Sequence, residues 1–148
     1  MPEKETLERA HRDAQEGKSP STQAGEFVRE EMHHIREGKH GARSAKQAIA
    51  IGLSKARRSG VNLPPPAKER VSEKSRRSAV SAYRKGRRGA RPSGRRSLAR
   101  SKALQREGRA AASHRALSRQ AHSAARRRGA RNRKAAARKA ARTRARSR

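Results

Sequence analysis

Arginine and lysine carry most of the chemical potential of this sequence. Between Leu63 and Arg148 there are 30 Lys+Arg against 3 Asp+Glu, a net of +27, and 24 of the 30 are Arg. A guanidinium is always charged at neutral pH and presents paired N–H donors that match two oxygens of a phosphate. A run of such groups without interleaved carboxylates neutralises a polyanion and releases its condensed counterions. The residues expected to make these contacts are Arg76, Arg77, Arg84, Lys85, Arg87, Arg88, Arg91, Arg95 and Arg96. They continue with Arg126, Arg127, Arg128, Arg131, Arg133, Lys134, Arg138, Lys139, Arg142, Arg144, Arg146 and Arg148. Nothing around them reads as a rigid recognition element, so phosphate contact without base readout is expected. DNA is the first expectation for the partner, and RNA, which Arg also suits, is the alternative.

Other chemistry finds little support. His33, His34 and His40 invite a metal site, but adjacent histidines on a helix point about 100° apart. Only Glu37 with His33 and Glu30 with His34 fall at helical spacing, so surface histidines and no metal are expected. There is no cysteine, which removes disulfides and thiolate ligation. No Gly-rich phosphate loop and no pair of carboxylates in an apolar setting occurs. The expectation is a non-enzyme without cofactors. Tyr83 alone is too little for a base-stacking platform. Serines beside basic residues, Ser78, Ser97, Ser101 and Ser118, are possible phosphate acceptors whose modification would cancel charge.

The elements that must position the basic groups divide at the prolines. From Met1 to Asn62 there are 12 Lys+Arg and 9 Asp+Glu, a net of +3. The break falls at "NLPPP", residues 62–66, where three prolines rule out helix and favour an extended spacer. Residues 1–20 read as a weakly helical arm, with Leu7, Ala10 and Ala14 on one side. Residues 21–61 read as a helical hairpin. Its first helix starts near Ser21 or Thr22 and carries Ala24, Val28, Met32 and Ile35 at helical spacing, with Gly38 as its stop. Its second begins with a capping box, Ser44 to Gln47. It runs a stripe of Ala45, Ala48, Ile49, Gly52, Leu53 and Ala56, leaves Lys46, Lys55, Arg57 and Arg58 for solvent, and stops at Gly60. Head packing is assigned to Val28, Met32, Ile35, Ala48, Ile49 and Leu53, and the same face could serve a homo-oligomer or a protein partner.

Residues 67–148 read differently. Large apolar residues are scarce and charge is high, the composition of a chain that stays disordered alone. Ala supplies helix propensity, while Arg–Arg repulsion one turn apart opposes it, so helices induced by a polyanion are expected, with breaks at Gly108 and Gly129. The fold expected is therefore mostly α with extensive disorder: a short αα hairpin plus a long, basic, low-complexity tail. No apolar run approaches a membrane span, and a cytoplasmic, nucleoid-associated protein is expected.

The segment "STQAGEFVREEMHHIREGKHGARSAKQAIAIGLSKARRSGVNLPPP" resembles a family of small, uncharacterised bacterial proteins, known from proteobacteria. They share a "KQAIAIGLSKAR"-type signature followed by a basic tail. The resemblance implies no established activity and no functional residues. The tail is similar in composition to the Ala/Lys/Arg-rich tails of linker-histone-like bacterial proteins. Those tails are usually Lys- and Pro-rich, whereas this one is Arg-rich. The function expected is non-sequence-specific DNA binding or compaction, with an RNA- or ribosome-associated protein and a protein–protein adaptor anchored by its tail as alternatives.

Overall fold

A computed structural model of the chain describes residues 1–91 and 93–146. Arg148, one of the expected phosphate contacts, lies outside them. The first helix, α1, spans Lys4–Gln15 and buries Thr6, Ala10 and Asp13, spaced by one turn each. Arg9 donates to Glu26 of the next helix at 2.7 Å and pairs with Glu5.

Helix α2, Pro20–Arg36, starts earlier than the apolar pattern suggests. Ser19 is its cap, accepting from the Thr22 amide, and Pro20 occupies the first turn, where a missing N–H costs nothing. Gly38 ends it with φ +79, a conformation that only glycine adopts without penalty. Helix α3, Ala45–Arg58, is capped by Ser44, whose hydroxyl accepts from the Gln47 amide at 3.2 Å. The Gln47 side chain reaches back one residue further than in the usual box, accepting from the Arg43 amide at 2.7 Å.

The α2–α3 hairpin is closed by backbone proximity. A Cβ placed on Gly52 would lie 2.7 Å from the Val28 Cα and 3.0 Å from the Phe27 carbonyl oxygen. Phe27, Met32, Ile35 and Ala48 are buried, while Val28, Ile49 and Leu53 are half-buried. Three α3 residues assigned to solvent, Lys55, Arg57 and Arg58, are partly or fully withdrawn from it. Arg57 is 8 % exposed and donates to the carbonyls of Leu63 and Pro64, and Lys55 turns inward to the carboxylates of α2.

The chain does not become disordered after the prolines. Helix α4, Glu73–Arg87, follows a short 3-10 turn at Lys68–Arg70 and packs on α3 through buried Ala79 and Ala82. Gly86 completes that stripe, since a Cβ there would sit 1.8 Å from the Arg57 carbonyl oxygen. Tyr83 donates to the Asn62 side chain at 2.6 Å. The prolines thus tie α3 to α4 instead of spacing them apart.

Helix α5, Gly94–Gln105, buries nothing along its length, but its end is fastened to the head. The Gly41 amide donates to the Leu104 carbonyl at 2.9 Å, and the Ala42 amide to the Gly108 carbonyl at 3.0 Å. A second 3-10 turn, Ala110–Ala112, inserts two buried alanines, and Arg36 donates to the Ala112 carbonyl at 3.0 Å. One compact unit therefore runs from Met1 to Ser113.

The second unit is residues 114–148, whose described part is helix α6, His114–Arg146. Gly129, at φ 72 and ψ 161, breaks it into two pieces. Arg133 bridges the break, donating to the Ala125 carbonyl at 3.0 Å, one of the last-turn carbonyls that the helix itself leaves unpaired.

The expectation of extensive disorder is overturned by the six α-helices that the described residues form. The physical reason lies in the core. Among the described residues 13 hydrophobic ones are buried, of which 10 are alanines, joined by Phe27, Met32 and Ile35. Close helix approach at Gly52 and Gly86 substitutes for bulk, a mode of burial that counting large apolar residues overlooks.

Candidate functional site: a basic surface and a buried acid–histidine cluster

The expected phosphate ligands group by helix. Arg76, Arg77, Arg84 and Lys85 of α4 and Arg88 just past its end line one groove, together with Val80 and Ser81. Their spacings, one and two turns apart, place them along one face. Arg77 donates to Glu73 at 3.0 Å, the one carboxylate contact on that face among the described residues. Arg76 of this groove and Arg58 of α3 are only partly exposed. The Nε atoms of Arg58 and Arg76 are buried without a hydrogen-bond acceptor. Burial, and next the charge of Arg100, push the Arg58 pKa down from its ordinary value. Arg87, Arg91, Arg95 and Arg96 are exposed. Arg95 and Arg96 fall in the first turn of α5, where the helix dipole disfavours cations unless an anion is present.

Helix α6 is the densest basic element. It has no Asp or Glu and no buried residue. Its second piece, residues 130–146, carries eight cations: Arg131, Arg133, Lys134, Arg138, Lys139, Arg142, Arg144 and Arg146. At 1.5 Å per residue this is one charge per roughly 3.2 Å of axis, close to the ~3.4 Å per phosphate along one strand of B-DNA. Lys134, Arg138, Arg142 and Arg146 follow one another at i,i+4 and so form a single row. Arg126, Arg127 and Arg128 stand exposed at the end of the first piece.

A second polar centre was not expected. Glu30 and Glu31 on α2 are 3 % and 1 % exposed. Lys55 of α3 approaches Glu31 Oε2 at 2.7 Å and Glu30 Oε1 at 3.7 Å. His40, brought back over α2 by the turn at Gly38, places Nε2 at 3.1 Å from Glu31 Oε1. His34 meets Glu3 at 2.8 Å and Glu30 at 3.7 Å, and its ring lies edge-on to that of His40, with centroids 6.0 Å apart. Lys39 also pairs with Glu3 at 3.0 Å, and hydrogen bonds from His34 and then Lys39 hold the Glu3 carboxyl down at about 2. His34 and His40 are therefore partly buried, and of the three histidines His33 is exposed as expected. The sequence signal for this cluster was Glu31 and His34 at i,i+3 together with Glu30 and His34 at i,i+4. The contributions of His40, Lys55 and Glu3 come from tertiary structure alone.

Residues 17–69 match a family model described as a family of unknown function (DUF6496). The matched segment covers α2, α3, the prolines and nearly all of the acid–histidine cluster, Glu3 excepted. It is an uncharacterised domain, and the basic helices α4, α5 and α6 lie beyond it. No curated protein and no solved structure matches the chain. Among the described residues, no helix is long and apolar enough to cross a membrane.

Proposed function

We propose that this protein binds duplex DNA through its phosphates, without reading bases, and acts by binding and compaction in the nucleoid instead of by catalysis. The observation that carries this reading is the second piece of α6. It holds eight cations and no carboxylate on a helix with no buried residue. Such a row is costly in isolation, because like charges one turn apart repel by about 0.2–0.5 kcal/mol per pair. A phosphate strand of matching linear charge density turns that cost into attraction. The groove on α4 offers a separate set of cations, so one molecule carries two phosphate-binding surfaces, which supports linking of duplex segments.

Absence of base readout is inferred from composition. The exposed cations of α6 are interleaved mostly with Ala, which has no group to pair with a base edge. The test is a fluorescence-anisotropy titration of the full chain against two unrelated duplex DNAs and an RNA duplex of equal length, across a salt series. Equal affinity for the two DNAs, a steep linear fall of log K with log salt, and weaker RNA binding are expected. A tenfold preference for one DNA sequence, a flat salt response, or tighter RNA binding would overturn the proposal.

A further inference from the structure

We propose that Glu31, His34 and His40 form a site for one divalent transition-metal ion of the zinc type. One ligand atom from each of the three lies within 4.8 Å of the others. Glu31 and His34 sit one turn apart on α2, and His40 closes the site from the loop behind Gly38.

The orientation of His40 is the strongest argument. Its Nδ1 lies 3.1 Å from the Gly41 carbonyl oxygen, so Nδ1 carries the hydrogen and donates. In that tautomer Nε2 presents a lone pair, and it faces Glu31 Oε1 at 3.1 Å. Two lone pairs at that separation require a cation between them. A proton on Nε2 is poorly placed, because neither Glu31 oxygen receives a contact of hydrogen-bond geometry although both are buried. A metal ion is better placed. Metal–nitrogen and metal–oxygen bonds of ~2.0–2.2 Å give tetrahedral ligand–ligand edges of roughly 3.3 Å. The Glu31–His40 edge is already near that value, and His34, whose Nε2 is engaged by Glu3 at 2.8 Å, lies within 4.8 Å as the third ligand.

The surroundings supply what a ligand set needs. Lys55 stands 2.7 Å from Glu31 Oε2 as an ion pair without hydrogen-bond geometry, and its charge keeps the carboxylate ionised with Oε1 turned to His40. The Gly41 carbonyl fixes the His40 ring. Three carboxylates, Glu3, Glu30 and Glu31, face two ammonium groups, Lys39 and Lys55, so the cluster holds one negative charge beyond what those ammoniums meet. Two imidazoles and one carboxylate suit zinc, cobalt or nickel, whereas magnesium and calcium prefer all-oxygen sets.

The experiment uses chelator-stripped full-length protein titrated with Co²⁺, followed by visible absorption, and with Zn²⁺ by calorimetry and thermal unfolding. Saturation at one ion per chain is expected, with a tetrahedral cobalt spectrum displaced by Zn²⁺ and an unfolding midpoint that rises with ion concentration. His40→Ala and Glu31→Gln should each weaken binding by at least the ~10–100-fold typical of losing an outer-shell partner. His33→Ala, on the exposed side of α2, should leave it unchanged, and circular dichroism establishes that each variant is folded. If Glu31→Gln does not fold, His40→Ala decides alone. Failure to saturate at one ion, binding that survives His40→Ala, or Mg²⁺ binding as tightly as Zn²⁺ would overturn the site.

Discussion

Replacing Arg131, Arg138, Arg142 and Arg144 together by Gln tests the phosphate row most directly. All four are exposed on α6, and the change removes half of the eight cations in residues 130–146 without emptying any core. If each of the eight neutralises one phosphate, the salt slope from this piece is about −7, at about −0.9 per contact. Raising salt fourfold then costs it roughly 10⁴ in affinity. The variant keeps four contacts and a slope near −3.6, so the same salt step costs it only about 10². The two titration lines must therefore converge as salt rises, the variant losing most at low salt. Anisotropy on a labelled duplex of fixed length at four or five salt concentrations measures this. Parallel lines, displaced but with equal slopes, would mean that these arginines act on something other than phosphate charge, and the reasoning would be refuted.

Three further outcomes concern the first unit. Gly52→Ala forces α2 and α3 apart at a contact of 2.7 Å, an overpacking cost of about 1–3 kcal/mol, and should lower the unfolding midpoint by on the order of 10 °C in calorimetry. Gly86→Ala puts a methyl 1.8 Å from the Arg57 carbonyl oxygen, so amide exchange in α4 should accelerate while that in α1 stays close to wild type. Lys18 pairs with Asp13 at 2.8 Å and Glu16 at 2.7 Å, and those hydrogen bonds raise its pKa above the ordinary 10.5. Its stabilisation is full below 10.5 and fades as pH rises through the raised value. The stability deficit of Lys18→Met, followed by urea unfolding, should hold constant from neutral pH to about 10.5 and shrink beyond it.

The hairpin was readable because its signals are local. Ser44 and Gln47, Gly38 and Gly60, and the turn-by-turn recurrence from Ala24 to Ile35 each act within a few residues. The match to residues 17–69 likewise covers the expected segment. The packing of α4 was not readable, because its stripe of Ala79, Ala82 and Gly86 looks like any small-residue spacing until α3 is laid against it. Ser and Arg on the other faces made the segment read as disordered. The acid–histidine cluster failed for a related reason. Glu30 and Glu31 look like ordinary surface acids on α2, and the groups that compensate their burial, Lys55 from α3, His40 from a loop, His34 and the Glu3 amide, are assembled by the fold. Arg57 was misjudged because its acceptors, the carbonyls of Leu63 and Pro64, belong to a segment that sequence reads as a spacer.

A core in which 10 of 13 buried apolar residues are alanine also sets how stability responds to temperature. The heat-capacity increment of unfolding grows with the apolar surface that water meets, and alanine contributes little of it. The first unit should unfold with an increment below the usual ~12–15 cal/mol/K per residue, giving a broad, shallow stability curve. Cooling would then erode the fold only slowly, so its margin over the unfolded chain should change little across the range in which cells grow.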